Sequence, residues 1–83
     1  MNKAVYKLLN FQYASIMVNM YDNRIIVFFN NDTWVKDGSF LEGRSGVGRT
    51  FEEACEDYLA KLQGKTLVVH AGDVNRRKEF IVF

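Results

Sequence analysis

The chain predicts an α+β fold: an antiparallel β-sheet of about five strands with one α-helix packed on one face, in the order β-β-β-α-β-β. Three observations carry that expectation. One segment, 50–63, spaces its apolar residues as a helix does. The remaining apolar segments are short or alternate with period two. Turn residues fall between them where hairpins need them. A length of 83 residues fits one domain, taken as 1–83, with no internal repeat or linker.

Tyr6, Leu8, Leu9 and Phe11 suggest a first strand. In 15–21, Ile16, Val18 and Met20 alternate with Ser15, Met17, Asn19 and Tyr21. Asp22-Asn23 then reads as a two-residue turn, because both residue types tolerate positive φ. Arg24 to Phe29 is apolar on both sides and suits a central strand. Thr33-Trp34-Val35 continues extended, and Asp37-Gly38 marks a second turn.

The helix has the clearest signature. Thr50 and Glu53 form a capping box, in which hydroxyl and carboxylate each take a free N–H. Phe51, Ala54, Cys55, Tyr58, Leu59 and Leu62 make one apolar stripe. Glu52, Glu53, Glu56 and Asp57 crowd the first half, where the helix dipole favours anions, and Gly64 suits the C-terminal exit. Thr66 to Val69 reads as a short buried strand, Ala71 to Asn75 as a loop, and Glu79 to Phe83 as a last strand. One helix leaves a second sheet face uncovered. The 30–48 segment, a second copy in a homodimer, or a target must cover it.

Eleven Lys and Arg against ten Asp and Glu give a net charge of +1. That argues against a general nucleic-acid binder and against an acidic mimic of nucleic acid. The longest apolar run, Ile25 to Phe29, is far short of the ~20 residues that span a bilayer. With one Cys and no secretory signal, the expectation is a cytoplasmic protein with no disulfide and no membrane partner.

The segment Gly43-Arg44-Ser45-Gly46-Val47-Gly48-Arg49-Thr50 has the spacing of a phosphate-binding loop, with Arg in place of the Lys. The missing Lys, the commitment of Thr50 as helix cap, and the lack of a parallel sheet favour a flexible glycine-rich connection. An anion held by Arg44, Arg49 and the helix start is the weaker remnant of that reading. Cys55 sits on the apolar stripe and reads as core. The only His, His70, makes a nucleophilic pair with it conceivable and no more. No metal-ligand spacing and no buried carboxylate pair is present. These readings call for no cofactor and no enzyme.

Trp34 reads as lying outside the regular strands. It is either an interface anchor or a lid on its own sheet. Tyr21, Phe40, Arg44 and Arg49 join it as candidate partner-binding residues. The alternative is a nucleic-acid contact through Lys65, Arg76, Arg77 and Lys78, since only the segment 64–83 is mildly basic, at +2.

The run Gly46-x-Gly48-x-Thr50-x-Glu52-Glu53-Ala54 resembles the strand-to-helix junction of HicB-like antitoxins. The continuation Asp57-Tyr58-x-x-x-Leu62-x-Gly64-Lys65-x-Leu67-Val68, with Arg77-Lys78-Glu79-Phe80-Ile81-Val82, looks like short bacteriophage and mobile-element proteins. The likeness covers about 43–83. It implies a sheet-and-helix domain that binds a host macromolecule, as such antitoxins bind a small RNase. The separate DNA-binding domain that the family often carries has no room here. By analogy of size and fold, inhibitors of bacterial defence, including anti-CRISPR proteins, belong to the same class of reading. The expectation is a non-catalytic binding protein acting on a host protein. Nucleic-acid binding is its alternative.

Overall fold

The computed structural model describes residues 2–83. Its first element corrects an expectation. Lys3–Leu9 is a helix, α1, where a strand was expected. The Asn2 carboxamide oxygen caps it, accepting from Ala4 N at 2.9 Å and Val5 N at 3.2 Å. Ala4, Val5 and Leu8 form its buried face, a helical spacing that the apolar run Tyr6, Leu8, Leu9 and Phe11 disguises.

β1 (Ile16–Tyr21) and β2 (Arg24–Phe29) form the expected hairpin. Asp22 and Asn23 turn it with φ of 51° and 61°, the left-handed pair that such a turn requires. The chain next turns a corner at Asn31 and Asp32, again with positive φ, and the strand beyond it leaves the first sheet. Later residues hold that corner: His70 N donates to Asn31 O, and Ala71 N to Asp32 O. Gly72 N donates to the Asp32 carboxylate at 2.8 Å.

β3 (Trp34–Asp37) and β4 (Phe40–Glu42) form a second hairpin, with Gly38 at positive φ in its turn. β5 (Gly46–Gly48) returns to pair with β2. α2 (Phe51–Leu62) is next, then β6 (Thr66–Val69) and β7 (Lys78–Phe80). The expected single five-stranded sheet is therefore two antiparallel sheets, in the orders β1-β2-β5 and β4-β3-β6-β7. The α+β class holds, with two helices instead of one. The last strand stops at Phe80, short of the expected end at Phe83.

α2 carries the predicted cap, with a shift of partner. Thr50 Oγ1 accepts from Glu53 N at 3.1 Å, but the Glu53 carboxylate accepts from Arg49 N, one residue before the cap. Gly64 leaves the helix at φ 74°.

Both sheets and both helices feed one core. Val27 and Phe29 come from the first sheet, Val35, Leu67 and Val69 from the second. Ala54, Cys55, Tyr58 and Leu62 come from α2, and Leu8 from α1. Phe11 fills the space between them, with ring centroids 4.9 Å from Phe29, 5.8 Å from Phe80 and 5.9 Å from Phe83. Fully burying each large side chain stabilises the fold by about 1.5–3 kcal/mol.

Candidate functional site

The glycine-rich segment has a structural task. Gly46 and Gly48 face α2, on the side of β2 that carries Ile25 and Val27. A Cβ on Gly46 would stand 2.0 Å from the Ala54 carbonyl oxygen and 2.5 Å from Tyr58 Cβ. A Cβ on Gly48 would stand 2.5 Å from Ala54 N. The glycines let strand and helix meet backbone to backbone. The segment is thus an ordered strand, which corrects the flexible connection expected from sequence.

Its polar groups are also engaged. Val47 N donates to Asp57 Oδ2 at 2.9 Å, and Lys61 Nζ reaches both Ser45 O at 3.0 Å and Asp57 at 2.8 Å. Burial alone raises the Asp57 carboxyl. The bonds from Lys61 and Val47, with the charge of Lys61, outweigh it and hold the group below the ordinary aspartate range. Cys55 lies in the core, where burial and then the nearby Glu52 push its thiol up.

Parity along β2 sorts the first sheet into two faces. Ile25, Val27 and Phe29 turn to the core, and Ile16, Val18 and Met20 of β1 share their face. Of these three only Ile16 packs on the core, while Val18 and Met20 stay exposed. The opposite, outer face carries Met17, Asn19 and Tyr21 from β1, Arg24, Ile26 and Phe28 from β2, and Val47 from β5. α2 lies on the other side, against Gly46 and Gly48. The outer face therefore has an apolar centre, half-buried at Ile26, Phe28 and Val47 and exposed at Met17, on the side away from α2.

Two clefts border this face and gather most of the sequence-derived candidates. One, of about 330 Å³, is lined by Arg24, Val47, Gly48, Arg49 and Glu53. Tyr21 stands opposite Arg24 in the strand register and is 74 % exposed. The other cleft, of about 410 Å³, includes Phe28, Trp34, Gly43 and Arg44. Trp34 donates from Nε1 to Asp32 at 2.6 Å and keeps 36 % of its surface exposed, so it is part lid and part free surface. The bond from Trp34 and that from Gly72 N hold the Asp32 carboxyl below the ordinary range. Arg44 pairs with Glu42, yet its Nε is buried and finds no acceptor within the described residues.

Phe40 stands apart. It is 73 % exposed, but in the register of β3 and β4 it shares a face with Asp37 and Val35, opposite to Trp34. Leu41, across from Lys36, is the residue of that hairpin on the Trp34 face. Sequence reading missed Arg24, Ile26 and Met17. Their alternation was visible in the sequence, but which side α2 covers was not.

The basic set divides as well. Arg76 and Lys78 line a cavity of about 320 Å³ with Tyr13, Val69, His70 and Asn75. Lys78 Nζ lies 5.5 Å from the Tyr13 ring centroid. Arg77 pairs with Glu79 at 3.5 Å, and Lys65 lies just past the helix exit, outside that cavity. Among the described residues, no group of three or more His, Cys, Asp or Glu is placed to hold a metal ion. No helix of these residues is long and apolar enough to cross a membrane. Compared with known protein families, curated proteins and solved structures, the chain matches none.

Proposed function

We propose that the chain is a small non-catalytic binding protein of the bacteriophage or mobile-element kind, which blocks a host protein by direct contact through the outer face of its three-stranded sheet. One observation carries the reading: an apolar strip on that face, Met17 exposed and Ile26, Phe28 and Val47 half-buried, flanked by Tyr21, Trp34, Arg24, Arg44 and Arg49. Aromatic and arginine side chains around an apolar patch are the composition of binding hot spots. The resemblance to short phage proteins and HicB-like antitoxins agrees with a binding role and a host target.

The test is capture from bacterial lysate with and without nuclease, read by mass spectrometry, for wild type and for Tyr21→Ala, Trp34→Ala and Arg49→Glu. Circular dichroism first establishes that each variant folds. The expected result is a nuclease-resistant protein partner whose capture falls at least tenfold in the variants. Equal capture by all three variants overturns the assigned face.

A second reading, single-stranded nucleic acid, rests on the cavity of Tyr13, His70, Arg76 and Lys78, which sets an aromatic ring beside basic side chains. It is favoured if nuclease removes every partner and Arg76→Glu abolishes binding, with affinity falling steeply as salt rises.

A further inference from the structure

The open edge of β1 carries a second inference, independent of the function proposed above. β1 is the end strand of its sheet, six residues long, and Ile16–Tyr21 contains no charge. Edge strands are normally guarded by a lysine, a proline, a bulge or a covering loop. This one has none of these within it. Four of its residues, Met17, Val18, Met20 and Tyr21, are large, apolar or aromatic, and exposed.

The two-residue turn makes Tyr21 and Arg24 the closing hydrogen-bonded pair of the hairpin. Alternation then directs the N–H and C=O groups of Ile16, Val18 and Met20 away from β2. Two bonds on the far side of the sheet agree with that phase. Phe29, opposite Ile16, sends its N–H outward to the Tyr58 hydroxyl, and Val47, opposite Ile26, sends its own to Asp57. Among the described residues, β1 pairs with β2 alone, and no backbone bond outside the ladders reaches Ile16, Val18 or Met20.

We infer that this edge pairs with the same edge of a second copy, antiparallel, about a two-fold axis through Val18. That register is self-complementary. Val18 meets Val18 of the second copy, and Ile16 meets Met20. Each match is a hydrogen-bonded pair, giving about six new backbone bonds at two per pair. On the face that carries Ile16, Val18 and Met20 the contact is apolar throughout. On the outer face Met17 meets Asn19. No charge meets a like charge, and Asp22, the nearest charged residue, lies beyond the paired strand. The product is one six-stranded sheet, β5-β2-β1 continued by β1-β2-β5, with both α2 helices on one side. A second copy matches every outward backbone group of this strand and brings its apolar side chains against their own kind.

Sedimentation equilibrium of the purified chain, from about 1 μM to about 1 mM, tests the inference, since edge pairing belongs with the small, weak interfaces. The expected result is a reversible monomer–dimer equilibrium. Val18→Lys and Val18→Glu each place like charges face to face on the two-fold axis and weaken the dimer at least tenfold. Their equimolar mixture regains it, because Lys then faces Glu. Amide exchange gives a check that needs no variant: the N–H groups of Ile16, Val18 and Met20 gain protection as concentration rises. A chain monomeric throughout the range overturns the inference. So does a dimer that both variants leave intact, or one that forms without protecting those three amides.

Discussion

Replacing Gly46 by alanine tests the tightest contact in the molecule. The new Cβ would lie 2.0 Å from the Ala54 oxygen and 2.5 Å from Tyr58 Cβ, where ordinary contacts begin at 3.4 Å. Both obstacles belong to the body of α2, so no side-chain rotation relieves them. The helix must retreat by roughly 1.4 Å, the difference between 3.4 and 2.0 Å. A gap of ~1 Å forfeits up to about half of the dispersion energy of the separated atoms. Overpacking ordinarily costs ~1–3 kcal/mol, and with no flexible end to yield the upper figure, about 3 kcal/mol, applies. A chain of this length has about 4–12 kcal/mol in all. The loss corresponds to a fall in Tm of roughly 12–24 °C. Gly48→Ala, with its nearest contact at 2.5 Å, should cost about 2 kcal/mol. Gly43→Ala, 3.6 Å from the Trp34 ring, should stay within about 0.5 kcal/mol of wild type. Urea and thermal melts of the three variants decide the matter. If Gly46→Ala melts with the wild type, the glycines are not there for close packing, and the flexible-connection reading returns.

Two more outcomes concern polar groups held by the fold. Tyr58→Phe removes the hydroxyl that accepts from Phe29 N at 3.1 Å and leaves a buried N–H unpaired. The expected loss is about 1–3 kcal/mol in urea unfolding, and a change below about 0.5 kcal/mol would show that another acceptor serves it. Stability should also fall in acid. Asp32 and Asp57 are both held below the ordinary aspartate range in the folded chain. The stability they add is complete above the unfolded pKa of about 3.9 and is lost as pH falls through their lower folded values. Urea midpoints measured from about pH 5 downward should therefore drop more steeply for wild type than for Asp32→Asn combined with Asp57→Asn; equal slopes refute the assignment.

How much of the fold was legible depended on whether the signal was local. α2 was readable because its cap, its stripe and its exit glycine are all contained in Thr50 to Gly64. The β1–β2 turn was readable because Asp22-Asn23 is sufficient by itself. α1 was not, since Leu8 serves both a helical spacing with Ala4 and a step of two from Tyr6, and the segment is too short for either period to show. The Asn2 cap that breaks the tie sits beside the chain start. β5 hid behind its own glycines, which read as a flexible connection until a helix is placed against them. The division into two sheets rests on bonds between Asn31–Asp32 and His70–Gly72, about forty residues apart, which no window along the chain contains. The candidate site was split for the same reason. Trp34 and Arg44 meet at one cleft while Phe40 faces away, and strand register, not residue type, decides which.

The bond from Val47 N to Asp57 limits how this molecule can associate. A sheet with two free edges behaves as a bifunctional monomer: each addition exposes a new end, and growth has no limit short of a fibre. Here α2 occupies one end of the first sheet, so that sheet is monofunctional. A strand added at β1 uses its only reactive end. In the language of polymer chemistry the first sheet is a chain stopper, and this lets an unguarded apolar strand remain at the surface without seeding aggregation through that sheet.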